Sequence, residues 1–159
     1  MHFEQTQYVK EALAKYFAGI NKDISEIKVL EIGSKDINGN NRQFLDSKVQ
    51  YRGLDLSEGK NVDIVSHFVD YFKKTECDYD LIISTEALEH DKRWFETLQV
   101  LAQNNNSEWT AIITAAGMDR KEHGTTRSLP KDSPDTNDYY GNILDDETAT
   151  CGVINVKII

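Results

Sequence analysis

Apolar residues fall along this chain in two rhythms. Near the N-terminus Tyr8, Ala12, Leu13, Tyr16 and Phe17 recur every three or four residues. That spacing predicts an amphipathic helix over residues 3–18 with an aromatic inner stripe, closed by Gly19 and Asn21. Short runs with apolar centres follow: IKVLEI (27–32), YRGLDL (51–56), VDIVSHF (62–68), DLIIST (80–85) and WTAIITAA (109–116). Each reads as a strand, the third weakened by the polar residues that interrupt it. The unbroken apolar centre of 80–85 implies burial on both faces, as in a parallel sheet. A short helix is expected over Asn41–Ser47. A longer one is expected after Asp91, with Trp94, Phe95, Leu98, Leu101 and Ala102 on its inner face.

Strands alternating with helical or connecting segments indicate βαβ units. The predicted fold is α/β: a Rossmann-like, mostly parallel sheet flanked by helices, in a single domain over residues 1–159. An N-terminal helix (1–24) precedes a core (25–117), a polar loop (118–143) and a C-terminal edge strand (144–159, from TCGVINVKII). The closing hairpin of such sheets is expected to be shortened, because only one clear strand follows the fifth. In open α/β sheets ligands bind beyond the carboxyl ends of the strands, which singles out Glu31, Gly33, Asp55, Thr85, Glu86 and the segment after Ala116.

Charge narrows the ligand. Eighteen basic against 27 acidic side chains give a net charge of −9, which repels phosphate backbones and disfavours nonspecific nucleic-acid or anionic-membrane binding. No run is long and apolar enough for a transmembrane helix, and MHFEQTQYVKEAL lacks the pattern of a signal peptide. Cys77 and Cys151 have no metal or redox spacing, so a reduced cytoplasmic setting is expected. With His2, His67, His90 and His123 scattered and no H-x-x-x-H pattern, no metal site is expected.

The stretch VLEIGSKDINGN (29–40) carries the chemistry. A pyrophosphate needs G-x-G-x-x-G, whose glycines let backbone amides close on the anion. Here the middle glycine is missing and Asp36 stands nearby, so phosphate is disfavoured. Asp55, about 20 residues beyond the glycine turn, suits a ribose diol. Glu31 and Asp36 suit a ligand whose far end is cationic, and S-adenosylmethionine combines the two. The bland alternative is that Glu31 satisfies turn amides, or that Asn38-Gly39 makes a hairpin turn.

VLEIGSKDINGN, YRGLDLSEGKNVDIV and YDLIISTEALEHD, in this order and spacing, resemble class I S-adenosylmethionine-dependent methyltransferases, closest to the small type 11-like proteins of bacteria and phages. The resemblance spans about residues 25–117. It implies that the 31–39 loop, with Ser34 and Asp36, holds the methionine end of the cofactor. It further implies that Asp55, beside Leu56, binds the ribose hydroxyls, that His67 and Phe68 line the adenine, and that Thr85 and Glu86 lie near the cofactor. Two departures stand out: only Gly33 and Gly39 remain in the glycine loop, and His67 stands where an aspartate often meets the adenine amine.

His90 follows in Glu86-Ala-Leu-Glu89-His90, either as a helix-start residue or as an active-site one. His123, in KEHGTTR (121–127), sits where substrate loops lie, with Arg127 available to an acidic acceptor group; a solvated loop is the alternative. Tyr139-Tyr140 are expected to dock that loop, and Asp145-Asp146-Glu147 to form a solvated acid cluster. Catalytic candidates are thus His90 and His123, and the expected activity is methyl transfer from S-adenosylmethionine to an unidentified acceptor, a small molecule being favoured. The rivals are a noncatalytic cofactor-binding or Rossmann-like module in an assembly, and an NAD-dependent oxidoreductase.

Overall fold

The apolar runs alternate two sets of side chains, and the sheet they form is covered on both faces. The computed structural model describes residues 3–103, 109–117, 120–136, 138–143 and 152–156. Strands β1 (Lys28–Ile32), β2 (Gln50–Asp55), β3 (Ile64–Val65), β4 (Leu81–Thr85) and β5 (Thr110–Ala115) are parallel, in the order β3-β2-β1-β4-β5. Strand β6 (Gly152–Val156) pairs antiparallel with β5 at the edge, where the final apolar run was expected. His2, the Asp145–Glu147 acids and Cys151 lie outside the described residues.

Period-two alternation sorts the strand side chains into two cores. Val29, Leu81, Ile83 and Ile112 face helix α1 (Phe3–Gly19), meeting its Val9 and Leu13. Leu30, Ile32, Leu54, Ile82, Ile113 and Ala115 face the other way, with Phe68, Val69 and Leu101 from helices α2 (Phe68–Lys74) and α3 (Trp94–Gln103) in the same core. Fully burying each such aliphatic side chain contributes about 1.5–3 kcal/mol. On α1 the buried seam is Gln5, Val9 and Leu13, one residue per turn, and the aromatics Tyr8, Tyr16 and Phe17 flank it half-buried.

Three expectations change. The third strand shrinks to two residues, because the chain turns into α2 at Phe68. His67 is the N-cap of that helix: its Nδ1 accepts from Val69 N at 3.2 Å, with Asp70 in the first turn and Lys73 and Lys74 in the last. Asn41–Phe44 is a single 3-10 turn. On α3, Phe95 and Ala102 point outward, and the inner face is Thr97 and Leu101 with Trp94, Leu98 and Val100 alongside. Asp91 does cap the helix, accepting from Arg93 N at 2.7 Å and from the Thr97 hydroxyl at 3.2 Å.

Gly53 shows how tightly the connection into β3 crosses the sheet. A Cβ there would lie 2.0 Å from the Asn61 carbonyl oxygen and 2.6 Å from Ser34 Oγ. Gly53→Ala should therefore lower unfolding stability by about 1–3 kcal/mol or more, through overpacking. Chemical denaturation measures the loss.

Candidate functional site

The parallel sheet changes direction between β1 and β4: the chain runs outward from β1 through β2 to β3, then returns to the far side of β1. Crossovers leave in opposite senses there, so a crevice opens beyond the carboxyl ends of these two strands. A cavity of about 340 Å³ occupies it, within the range of small-molecule sites. Gly33 makes the crevice possible. Its φ of +73° is left-handed, and a Cβ would meet Ala87 Cβ at 2.3 Å, so the loops after β1 and β4 touch backbone to side chain.

Glu31 stands on the cavity wall, only 2% exposed. Asn41 Nδ2 donates to its Oε1 at 2.7 Å and the Tyr51 hydroxyl to its Oε2. Burial raises the Glu31 pKa above its ordinary value, against the lowering pull of Tyr51 and Asn41. Asp55, at the end of β2, also lines the cavity. Its two oxygens accept from Lys35 N at 2.9 Å and Leu56 N at 2.7 Å, which fixes the carboxylate. Among the described residues no ion pair engages either acid.

Leu56, His67, Phe68, Thr85 and Glu86 reach the same cavity. His67 Nδ1 accepts from the helix backbone, so its Nε2–H donates to the Asp91 carboxylate, 3.0 Å from each oxygen. Thr85 Oγ1 accepts from Asn41 Nδ2 at 2.8 Å. Glu86 adopts a left-handed φ of 52°, uncommon for a residue with a side chain, and pairs with Arg120 at 3.3 Å.

Two predicted cofactor residues do not line the cavity. Ser34 is buried against Gly53. Asp36 turns to Lys60 at 2.7 Å and accepts from Gly39 N and Asn40 Nδ2, so it organises the loop instead of facing a ligand. The chain bends at Ile37 and Asn38, and the Asn38-Gly39 pair makes no hairpin. Arg127 likewise is engaged by Glu122 at 2.6 Å and Asp138 at 3.2 Å, away from the cavity.

The polar loop forms the opposite wall. Asp132 to Thr136 line the cavity, and Lys35 Nζ donates to Asp135 at 2.7 Å and to Ser57 Oγ at 2.8 Å, tying that wall to the β1 and β2 loops. His90 and His123, 33 residues apart in sequence, meet edge-to-face with ring centroids 4.9 Å apart and Nε2 atoms 3.3 Å apart. The expectation of scattered histidines fails for this pair. Burial, and next the neighbouring His123, push the His90 imidazole down to about 4, so it is neutral at neutral pH. Tyr140 packs on both rings, and Gly141 N donates to the Glu89 carbonyl, which docks the loop as expected. Gly124, with φ +71°, leaves room for His90 Cε1, which a Cβ would approach to 2.9 Å.

Sequence reading missed Gln5, Tyr51, Asn41 and Arg120. The first and last line the cavity, and the middle two hold Glu31. A glutamine on the apolar stripe of α1 was the one signal available.

Among solved structures the chain resembles the CurJ carbon methyltransferase with a TM-score of 0.52 at 16% identity, over 70% of this chain and 35% of that one. It also aligns with PKMT2 from Rickettsia typhi in complex with AdoHcy, at a TM-score of 0.49 and 18% identity, over 70% and 25% of the two chains. This chain thus spans about a third of the first protein and a quarter of the second. The first likeness shows a shared Rossmann-like fold. No protein family matches the sequence, and no curated protein does.

The raised pKa of Glu31 has a stability consequence. A carboxyl whose folded pKa exceeds its unfolded one favours folding most below the unfolded value, and that contribution disappears as pH rises through the folded value. Glu31→Gln should therefore gain thermal stability relative to the parent as pH rises above about 4.5, the ordinary value, toward neutrality. Melting curves across pH 4 to 8 should show the two proteins diverging. Parallel curves would mean that Tyr51 and Asn41 compensate the burial of the charge.

Proposed function

We propose that this chain binds S-adenosylmethionine and transfers its methyl group to a small acceptor in the same cavity. The observation that carries this reading is a pair of carboxylates, Glu31 and Asp55, on the cavity wall at the switch point, with no ion pair engaging either among the described residues. The glycine-poor β1 loop suits a cationic ligand and not a pyrophosphate, and the shared fold of a carbon methyltransferase is consistent with it.

The residues divide the work. Asp55, held by two backbone N–H groups, keeps lone pairs for a ribose diol. Glu31 places negative charge where a sulfonium or ammonium would lie. Leu56, 42% exposed, and the buried Phe68 provide apolar surface for a nucleobase. When bound, the cofactor supplies an electrophilic methyl group on a positive sulfur. The walls from the β4 loop and from residues 132–136 then orient the acceptor and exclude water. His123 Nδ1 lies 3.1 Å from the Lys121 carbonyl and must donate to it, which leaves its Nε2 lone pair facing His90 Nε2 at 3.3 Å, so His123 takes a proton from an acceptor only when the acceptor displaces that contact.

Calorimetric titration with S-adenosylmethionine and S-adenosylhomocysteine tests the reading. Both should bind, and Asp55→Asn should weaken both by about 1–3 kcal/mol through loss of charge-assisted hydrogen bonds. No heat with either nucleoside at millimolar concentration, or binding of NADH instead, would overturn it.

A further inference from the structure

Glu89, His90 and His123 converge. One ligand atom from each lies within 4.8 Å of the others. Glu89 is fully buried, and neither of its oxygens meets a hydrogen-bond donor at bonding geometry. Burial, and next the neighbouring Glu86, raise its pKa against the weaker pull of the nearby backbone N–H groups of Glu89 and Ala116 and of Arg120. Nearby charges do not complete it: Glu86 repels, and Arg120 is already held by Glu86 at 3.3 Å.

We propose that Glu89, His90 and His123 bind a divalent transition-metal ion of borderline softness, such as zinc. Tetrahedral coordination at zinc–nitrogen distances of about 2.0–2.1 Å separates two ligand nitrogens by about 3.3–3.4 Å. The Nε2 atoms of His90 and His123 stand 3.3 Å apart, a spacing that fits two ligands of one ion as well as it fits one hydrogen bond. The Lys121 carbonyl accepts from His123 Nδ1, so the Nε2 lone pair is directed at the site, and a backbone carbonyl behind a ligating imidazole is the usual supporting contact. Two imidazoles and one carboxylate form a donor set for zinc or another transition ion, and a poor one for magnesium or calcium, which take oxygen ligands.

His90 and His123 both line the cavity, so the fourth coordination position would open into it. A ligand with a hydroxyl or carboxylate oxygen is the class that would complete the shell. With the ion bound, His90 would carry its single proton on Nδ1, beside the Tyr139 backbone, and both Nε2 lone pairs would be taken up by the ion, so neither histidine would act as a base. The site needs no nucleoside, so it stands or falls apart from the cofactor reading.

The test uses the full chain, stripped with a chelator, with no nucleoside present. Zinc is titrated in competition with a chromophoric chelator, and histidine nitrogen resonances are followed by NMR in the unmutated protein. One equivalent should bind with micromolar affinity or better, shifting the Nε2 resonances of His90 and His123. Glu89→Gln and His123→Ala should each weaken binding at least tenfold. No binding at 100 µM zinc, shifts confined to other histidines, or affinity unchanged in both variants would overturn the proposal. Because the NMR arm needs no substitution, a misfolded variant does not blunt the result.

Discussion

The contact between Gly33 and Ala87 sets the geometry of everything at the top of the sheet. Loops leave β1 and β4 side by side because these strands are neighbours, and they diverge because their crossovers run in opposite directions. They approach so closely that one of them must lack a side chain and adopt a left-handed turn. The crevice between them then takes its chemistry from whichever residues end the strands, and here those are Glu31, Thr85 and Glu86, with Asp55 from β2.

Electrostatics in the cavity follow from how the charges are already satisfied. Lys35 and Arg120 line it, but Asp135 and Glu86 hold them. Glu31 and Asp55 are held by neutral donors alone. A positive ligand end therefore gains at the acids and meets cations that are already partly neutralised. The net charge of −9 adds to the same preference at long range.

The segment from Arg120 to Ile143 is polar and without long elements, yet it is closely built. Gly124 N donates to the Leu129 carbonyl, Asp138 accepts from Thr126, and Ile143 N donates to the Ala116 carbonyl. This scaffold carries His123 to His90 and Asp135 to Lys35. It turns an open crevice into a walled cavity, and it completes the cluster around Glu89.

The sequence alone determined the layer architecture. Alternation along the strands and the three-to-four spacing in α1 and α3 reflect which faces must be buried, a local property of the chain. It also determined that Glu31, Asp55, Thr85 and Glu86 end strands, because strand ends follow directly from strand positions. What only the tertiary structure decided is where side chains separated in sequence meet. Asp36 and Ser34 sit in the right loop but turn away, because Lys60 and the Gly53 crossing lie behind it. His67, read as part of the strand VDIVSHF (62–68), instead caps the helix FVDYFKK that starts at Phe68 and that the strand pattern did not reveal. Most of all, His90 and His123 are 33 residues apart, and no periodicity relates two positions joined through helix α3, strand β5 and an irregular loop. Their approach depends on the path of that loop, which is set by long-range hydrogen bonds and close glycine packing that no local pattern encodes.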